Sequence, residues 1–192
     1  MSLEIIESTI AASIATKQQL LADTARLDAL ATVASHVSKS LKSGGKVMLC
    51  GNGGSAADSQ HIAAELIGRF EKERASMAAL ALTTDTSALT AIGNDYGYDQ
   101  VFSRQVEGIG QSGDVLIGIS TSGNSANVVK AMEAAAHKNI ATVALVGDKP
   151  GGAMQAMADY VLAAPATNTA RIQECHILMM HILCQLVELE SD

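Results

Sequence analysis

Residues 46–70 read KVMLCGNGGSAADSQHIAAELIGRF, and this stretch sets the pattern that the rest of the chain repeats. Its first apolar residues, Val47–Cys50, predict a short buried strand. A glycine-rich turn follows at 51–54, where positive φ angles let the backbone approach a ligand closely. Ser55 can then cap a helix whose free N–H groups suit an anion or a sugar oxygen. A strand, a glycine turn and a helix in this order predict one unit of an α/β fold.

The same alternation continues along the chain and defines the fold class. Short apolar runs predict strands buried on both faces, at Val47–Cys50, Met77–Leu82, Val115–Ser120, Thr142–Val146 and Tyr160–Ala164. The segments between them predict helices at Ala56–Gly68, Thr86–Ile92, Gln100–Ile109, Ala126–His137 and Ala153–Met157. We therefore expect an α/β protein with an open, mostly parallel five-stranded sheet covered by helices on both faces, a flavodoxin-like three-layer sandwich. Ligands in such sheets bind beyond the carboxyl ends of the strands.

Helices are also expected at both ends of the chain. Apolar residues at helical spacing predict one helix over residues 3 to 22 and a second over 27 to 41, ended by Gly44-Gly45. The last helix, from Asn168 to about Glu190, is apolar on several sides, as in an oligomer core. We expect a single domain over residues 1–192, with an N-terminal helical extension at 1–44 and the α/β core with the C-terminal helix at 45–192.

Composition and charge exclude several classes of protein. A formal net charge of −7 and an aromatic content of 3% argue against nucleic-acid binding, which needs clustered Lys and Arg and stacking rings. No uninterrupted apolar run is long enough to span a bilayer. The cysteines Cys50, Cys175 and Cys184 form neither a disulfide framework nor a thiolate metal site. We expect a cytoplasmic protein with neither a nucleic-acid nor a membrane partner.

Two loops are candidate ligand sites. The first, Gly51-Asn52-Gly53-Gly54-Ser55-Ala56, matches the loose dinucleotide pattern G-x-G-x-x-A, but the acid expected at the end of the next strand is not clear. The second is Ser120-Thr121-Ser122-Gly123-Asn124-Ser125, a cluster of hydroxyl donors at a helix N-terminus. It contains no lysine, so the ligand that fits it is a small phosphate monoester. An ordinary serine-rich turn is an equally good interpretation of that loop alone.

Two helices carry candidate acid–base or metal-binding groups. His61 and Glu65 are one turn apart and share a helix face, which suits a metal site, an acid–base pair or simply a solvated face. The terminal helix adds polar residues to an apolar sequence, and buried polar groups need partners. They are Gln173, Glu174, His176 and His181, of which His176 points away from the others. A core histidine bonded to a backbone carbonyl is the alternative for either histidine alone.

Together these motifs resemble the phosphoheptose isomerases of the sugar-isomerase (SIS) domain family, over essentially the whole chain. The residues that carry the resemblance are Gly51-Asn52-Gly53-Gly54-Ser55, His61 with Glu65, Gly93-Asn94-Asp95, Ser120–Ser125, and Arg171-Ile172-Gln173-Glu174 with His181. The resemblance implies a cytoplasmic homotetramer with sites near subunit interfaces. It implies an aldose–ketose isomerase that converts sedoheptulose 7-phosphate into D-glycero-D-manno-heptose 7-phosphate, for lipopolysaccharide core or other surface glycans.

The resemblance also implies a role for each site residue. One zinc ion per subunit would be bound by His61, Glu65, Gln173 and His181. Glu65 would be the base at carbon and His181 the second acid–base group. The substrate, a small sugar phosphate, would be held through its phosphate by Ser120, Thr121, Ser122, Ser125 and Ser55, and through the sugar by Asn52, Gly53, Gly54, Asn94, Asp95, Glu65 and Gln173.

One position departs from the family pattern, and two other functions compete with catalysis. Some members carry an acid before Arg-Ile-Gln, where this chain has Ala170, so ring opening would fall to Asp95, His61 or solvent. A non-catalytic relative that binds a replication initiator protein would lack the proton-transfer carboxylate. A sugar-phosphate-sensing module would need only the phosphate loop. The presence of Glu65 beside two histidines favours the enzyme.

Overall fold

The computed structural model describes residues 1–190 of the 192-residue chain. A 3-10 turn at Tyr98–Gln100 connects the fourth and fifth helices. The elements in chain order are α1 Ser2–Ala22, α2 Thr24–Lys42, β1 Val47–Gly51, α3 Gly54–Ile67, β2 Ala79–Ala81, α4 Thr86–Tyr96, α5 Ser103–Ile109, β3 Val115–Ser120, α6 Ala126–His137, β4 Ala141–Gly147, α7 Ala153–Met157, β5 Tyr160–Ala164 and α8 Thr169–Glu190.

All five strands are parallel and lie in the order β2-β1-β3-β4-β5, which confirms the predicted α/β class. Every residue of β1 and β3 is buried, because helices cover both faces of the sheet. The chain leaves β1 toward β2 on one side and returns to β3 on the other. The carboxyl ends of β1 and β3 are therefore adjacent at a switch in strand order, which is where such sheets bind ligands.

Three predicted elements differ most from the observed ones in extent. The second strand is only Ala79–Ala81, since it lies at the edge and pairs with β1 alone. The helix predicted at Gln100–Ile109 is divided into the 3-10 turn and α5. Helix α4 continues past Ile92 to Tyr96 and ends at Gly97, whose φ of 89° stops the helix.

The two terminal helices differ in how they are packed. Helix α8 is buried on several sides, as its apolar sequence predicts, but it packs on α2 and α3 of the same chain, and its expected place in an oligomer core stays a prediction. Helix α1 buries only Thr16 and Leu20. Its large apolar side chains are 52–64% exposed, at Leu3, Ile5, Ile6, Ile10 and Ile14. A single chain therefore leaves an apolar face of α1 uncovered, and exposed apolar faces of this kind mark interaction surfaces.

The three cysteines lie in the core as free thiols. Burial raises the pKa of Cys50 and Cys184 to about 12 and raises that of Cys175 as well. Thiols with raised pKa values are poor nucleophiles, so these cysteines are packing residues. Within residues 1–190, no helix has both the length and the hydropathy needed to cross a membrane.

His176 is the buried histidine of α8 and has a structural role. It is fully buried, and its Nε2 donates to the carbonyl oxygen of Val146 at 3.0 Å. Desolvation lowers its pKa to about 4, although the hydrogen bond to Val146 acts in the opposite direction. The neutral imidazole therefore ties α8 to β4, in agreement with the core-histidine interpretation for this residue.

We expect His176 to make the protein less stable in acid. Its pKa is near 6.5 in the unfolded chain and about 4 in the fold, so between these values the unfolded state binds more protons. The neutral imidazole makes its full contribution to the free energy of unfolding above pH 6.5. That contribution is lost as the pH falls toward 4, and it amounts to about 3 kcal/mol for a pKa shift of this size. Urea unfolding of wild type and His176→Gln from pH 7 to pH 4, at fixed protein concentration, measures this difference.

The glutamine amide can still donate to Val146 but does not titrate in this range. His137→Gln is the matched control, because it makes the same substitution at an exposed histidine. His137→Gln should follow the wild-type pH dependence. A His176→Gln protein with the same pH dependence as wild type would contradict the structural role assigned to this imidazole.

Candidate active site

The loops after β1 and β3 and the start of α8 enclose a cavity of about 350 Å³, called the hydroxyl pocket below. It lies at the predicted edge of the sheet. Every serine and threonine predicted to bind phosphate lines it, together with Gln173. The lining residues are Asn52, Gly53, Gly54, Ser55, Ile119, Ser120, Thr121, Ser122, Ser125, Thr169 and Gln173. Thr169 was not predicted, although it precedes the departing position Ala170.

The hydroxyl groups form a connected cluster in this pocket. Ser120 Oγ lies 2.8 Å from Ser125 Oγ and 3.2 Å from Ser122 Oγ. Ser125 is the N-cap residue of α6, as predicted, but its side chain does not cap the helix. Three helices, α3, α6 and α8, begin at the pocket, and helix N-termini attract anions. The pocket therefore presents hydroxyls and helix dipoles to a phosphate, with neither lysine nor arginine among its described lining residues.

Two glycines bring the first loop close to its neighbours. A Cβ on Gly51 would lie 2.7 Å from Ser55 Cβ and 3.0 Å from Ile119 O, so glycine is required where the loop passes β3. A Cβ on Gly54 would lie 2.5 Å from Gln173 Nε2, so the glutamine side chain packs directly on the start of α3. The helix begins at Gly54, and its N-cap is Gly53 at a φ of 57° rather than the predicted Ser55. Ser55 is instead buried in the first turn.

Asn52 links the first loop to two distant segments. Its amide exchanges hydrogen bonds of 2.8 and 2.9 Å with the amide of Asn127 in α6. Its Oδ1 also accepts a hydrogen bond from Tyr98 Oη at 3.1 Å. The family resemblance implies a contact between Asn52 and the sugar hydroxyls, whereas neither Asn127 nor Tyr98 was predicted. No sequence signal marked Asn127, which lies 75 positions from its partner.

Asn94 and Asp95 lie apart from the hydroxyl pocket in the single chain. Both are exposed near the end of α4, and Asn94 Nδ2 donates to Asp95 Oδ1 at 2.8 Å. The following turn approaches the pocket through the Tyr98 contact with Asn52. Their predicted contact with the sugar stays a prediction.

A second group of functional side chains, the acid–base cluster, consists of Glu65, His61 and His181. Glu65 Oε1 lies 3.0 Å from His61 Nε2, and His61 Nε2 lies 3.3 Å from His181 Nε2. The Phe70 ring stacks on His181 with ring centroids 5.3 Å apart. The Glu65 side chain is 25% exposed and that of His61 is 46% exposed, so the cluster is open to a ligand. The structure thus joins α3 and α8 through the three acid–base residues singled out in the sequence.

The cluster and the pocket lie along the same two helices. Gly54 contacts Gln173, His61 contacts His181, and the backbone of Phe70 contacts Glu188, so α3 and α8 run parallel. At 1.5 Å per residue, the eight positions from Gln173 to His181 correspond to about 12 Å along the helix axis. The site is therefore elongated, with hydroxyl groups at one end and acid–base groups at the other.

The donor set at the cluster suits a zinc ion in its chemistry. Two imidazole nitrogens and a carboxylate oxygen are in contact through His61, and these atom types are common zinc ligands. Nitrogens bound to a tetrahedral zinc at about 2.1 Å are roughly 3.4 Å apart, close to the 3.3 Å between the two histidine nitrogens. The contacts run in a chain through His61, and residues 1–190 contain no group of three or more His, Cys, Asp and Glu arranged to enclose a metal. Gln173, the fourth predicted ligand, lies at the pocket end of the site.

Asp58 is an acid near the cluster that was not predicted from the sequence. Its Oδ2 is buried and accepts no hydrogen bond from residues 1–190. Burial raises the pKa of its carboxyl, and positive charge on His61 or His181 acts in the opposite direction. Its spacing of three positions before His61 was a signal that could have identified it.

Comparisons with known proteins agree on one family. The profile described as SIS domain matches residues 10–147. The phosphoheptose isomerase of Akkermansia muciniphila is 52% identical over 181 residues, covering 91% of this chain and 95% of that protein. The phosphoheptose isomerase of Sulfurimonas denitrificans is 63% identical over 145 residues, covering 76% and 74%.

Solved structures agree with the sequence relatives. The phosphoheptose isomerase of Neisseria gonorrhoeae superimposes with a TM-score of 0.92 at 47% identity, covering 98% of this chain and 100% of that one. The phosphoheptose isomerase of Francisella tularensis gives a TM-score of 0.93 at 40% identity, covering 98% and 99%. The likeness therefore extends over the terminal helices as well as the sheet.

Proposed function

The chain belongs to the SIS domain family and, within it, to the phosphoheptose isomerases, and we propose that it converts sedoheptulose 7-phosphate into D-glycero-D-manno-heptose 7-phosphate. The reaction is an aldose–ketose isomerisation that supplies heptose for lipopolysaccharide core or other surface glycans. The observation that carries the proposal is the elongated site, in which the acid–base cluster lies about 12 Å from the Gln173 end along the helix axis.

The length of the site fits the length of this substrate. An open-chain seven-carbon sugar phosphate, with C–C bonds of about 1.5 Å, extends roughly 10 Å from phosphorus to C1. A phosphate among Ser120, Ser122 and Ser125 would therefore leave C1 and C2 near Glu65. Those two carbons exchange the proton in an isomerisation, at the end of the molecule farthest from the phosphate.

The acid–base cluster contains the groups that this proton transfer needs. Moving a proton between C1 and C2 through an enediol requires one base at carbon and acid–base help at oxygen. Glu65 is assigned the carbon base and His181 the exchange of protons at the oxygens. His61 contacts both residues and fixes their separation. Residue 170 is alanine, so it offers no acidic side chain for ring opening, and this step is assigned to Asp95, His61 or solvent.

We propose one zinc ion per subunit, bound by His61, Glu65 and His181, with Gln173 as the fourth ligand once its side chain turns from Gly54 toward His181. When bound, the ion would supply Lewis-acid polarisation of the substrate carbonyl or orientation of the sugar. Support comes from the separation of the two imidazole nitrogens. Metal analysis of purified protein should give about one zinc per chain, and His61→Gln should lower that content. Zinc content equal to wild type in His61→Gln would exclude this ligand set.

The test of the reaction is incubation of the purified protein with sedoheptulose 7-phosphate in deuterated water. We expect the aldose product to form and to carry deuterium at C2, because the transferred proton exchanges at the base. Inorganic phosphate binding, measured in parallel, reports whether the hydroxyl pocket is intact. A protein that binds phosphate but forms no product would disprove the isomerase function and favour a sensing or regulatory module.

We propose a homotetramer with the sites near subunit interfaces. The support is the apolar face of α1, where Ile10 is 55% exposed. We expect Ile10→Glu to shift the protein to smaller assemblies in light scattering after gel filtration, because a charge cannot be buried there unpaired. Gln19→Glu is the matched control, since nine residues place it on the opposite side of the same helix. An unchanged mass for Ile10→Glu would exclude this face as the interface.

We also propose that the protein works in the cytoplasm. The support is chemical, because Cys50, Cys175 and Cys184 are free thiols in the core, and free thiols persist in reducing compartments. The partner proposed for the site is a small sugar phosphate. A net charge of −7 remains unsuited to a nucleic-acid backbone.

A further inference from the structure

The buried carboxylate of Glu188 lies on α8, two helical turns after His181 of the acid–base cluster. Glu188 is 1% exposed near the end of α8. It accepts hydrogen bonds from the backbone N–H groups of Phe70 at 2.7 Å, Glu71 at 2.9 Å and Lys72 at 3.0 Å. Three consecutive backbone donors on one carboxylate fix the path of the segment that follows α3.

Arg74 completes this arrangement and extends it to α3. Its Nε lies 3.1 Å from Glu188 Oε1, with both side chains at most 6% exposed. Its guanidinium also donates to the backbone carbonyls of Glu65 at 2.8 Å and Leu66 at 2.9 Å. The pair therefore ties the C-terminal turn of α3, which carries Glu65, to α8, which carries His181.

The position of Glu188 is unfavourable for a carboxylate. Burial opposes ionisation, and a negative charge near a helix C-terminus meets the negative end of the helix dipole. Desolvation acts to raise its pKa, but hydrogen bonds from Glu71, Phe70 and Lys72 and the charge of Arg74 lower the pKa below its ordinary value. The ionised Glu188 carboxylate is therefore held by Arg74 and by the backbone N–H groups of residues 70–72, and these contacts fix the positions of the groups around it.

Glu188 fixes the position of Phe70. The backbone N–H of Phe70 is bonded to Glu188, and the Phe70 ring stacks on His181 at an interplanar angle of 25°. We propose that Arg74 and Glu188 are positioning residues of the isomerase, which orient the His181 imidazole through Phe70 and hold Glu65 opposite it. They touch neither substrate nor reacting atoms, and this assignment of a role in turnover rests on the proposed function.

The test compares Glu188→Gln with a matched buried carboxylate. Glutamine keeps the shape but turns an amide N–H toward backbone donors, so the segment at 70–72 must shift. Asp114→Asn is the control, since Asp114 is 3% exposed and accepts from Lys46 Nζ and from the backbone N–H groups of Lys46 and Gln111. Asp114 precedes β3, at the edge of the sheet away from the site.

We expect Glu188→Gln to lower kcat between about 10- and 100-fold, the size of effect produced by misplacing a reacting group by about 1 Å. KM should change by less than a factor of about three, because the hydroxyl pocket lies at the other end of the site. Asp114→Asn should lower the melting temperature and leave kcat unchanged. Equal losses of kcat in both variants would overturn the proposal in favour of a general loss of stability.

A second readout does not depend on activity. The Phe70 ring current shifts the His181 ring-proton resonances, which can be assigned in histidine-labelled protein by their loss in His181→Gln. In Glu188→Gln these resonances should move toward their positions in Phe70→Leu, which lacks the ring but keeps the ion pair. They should stay at their wild-type positions in Asp114→Asn. A wild-type spectrum for His181 in Glu188→Gln would overturn the proposal.

Phe70→Leu decides the case even if Glu188→Gln does not fold. It should fold normally and reproduce the loss of kcat without a change in KM. Wild-type kcat in Phe70→Leu would overturn the proposal. Failure of wild type to isomerise sedoheptulose 7-phosphate, with the predicted resonance shifts still observed, would disprove the proposed function while leaving the Phe70–His181 contact established.

Discussion

Glu65→Gln is expected to lower kcat for sedoheptulose 7-phosphate by roughly 10³-fold, within the range that a positioned base contributes. Glutamine has the same shape as glutamate, and its Oε1 can keep the contact with His61 Nε2, which is 3.0 Å in the native protein. The substitution therefore removes the base and leaves the packing of α3 on α8. Because the phosphate is proposed to bind at the other end of the site, KM should remain within a factor of about three.

Initial rates and deuterium incorporation at C2 measure this effect, and circular-dichroism melting reports the fold. Glu107→Gln is the control, since Glu107 is an exposed glutamate on α5 whose neutralisation leaves the site untouched. It should have wild-type kcat. If Glu65→Gln retained both turnover and C2 exchange, Glu65 would not be the carbon base, and Asp58 or His181 would have to be.

Ser125→Asp is expected to raise KM by at least about 100-fold. A carboxylate at this position would lie among the hydroxyls of Ser120 and Ser122, where the substrate phosphate is proposed to bind. Two like charges about 4 Å apart repel by several kcal/mol at an effective dielectric constant near 20. Aspartate is as good an N-cap residue as serine, so α6 should still form from Ala126.

The measurements are steady-state kinetics and inhibition by inorganic phosphate, which should become undetectable in Ser125→Asp. Ser125→Ala separates charge from hydrogen bonding, because it removes one hydroxyl without adding a charge. It should raise KM much less than Ser125→Asp. Equal KM values for the two variants, or a KM for Ser125→Asp near that of wild type, would show that phosphate does not bind beside Ser125.

Local sequence patterns predicted the sheet and the hydroxyl pocket. Buried parallel strands are continuously apolar, so β3 and β5 were predicted with their observed ends. The loops at 51–55 and 120–125 follow strands, and the carboxyl ends of parallel strands meet at one edge. That rule places both loops at one edge of the sheet, and the pairing of β1 with β3, which the sequence pattern does not give, brings their hydroxyls into one pocket.

Contacts between distant segments were not predictable in the same way. Asn52 and Asn127 pair across 75 positions, and Arg74 and Glu188 across 114. In the sequence each is an ordinary polar residue, because no period or spacing encodes a partner so far away. The zinc site stays a prediction. Three of its four predicted ligands are in contact, because His61 contacts both Glu65 and His181. The fourth, Gln173, lies at the other end of the site.

The neutral lining of the hydroxyl pocket also governs how substrate reaches the protein. A phosphate bound there, as proposed, would meet hydroxyls and backbone dipoles, whose fields act over a few ångströms, while the chain as a whole carries a net charge of −7. A dianionic sugar phosphate is therefore repelled on approach and attracted only at contact. Dissolved salt screens the repulsion over about 10 Å and leaves the buried dipoles nearly unaffected. Capture by this protein should quicken as ionic strength rises, the reverse of an enzyme that gathers phosphates with lysine and arginine.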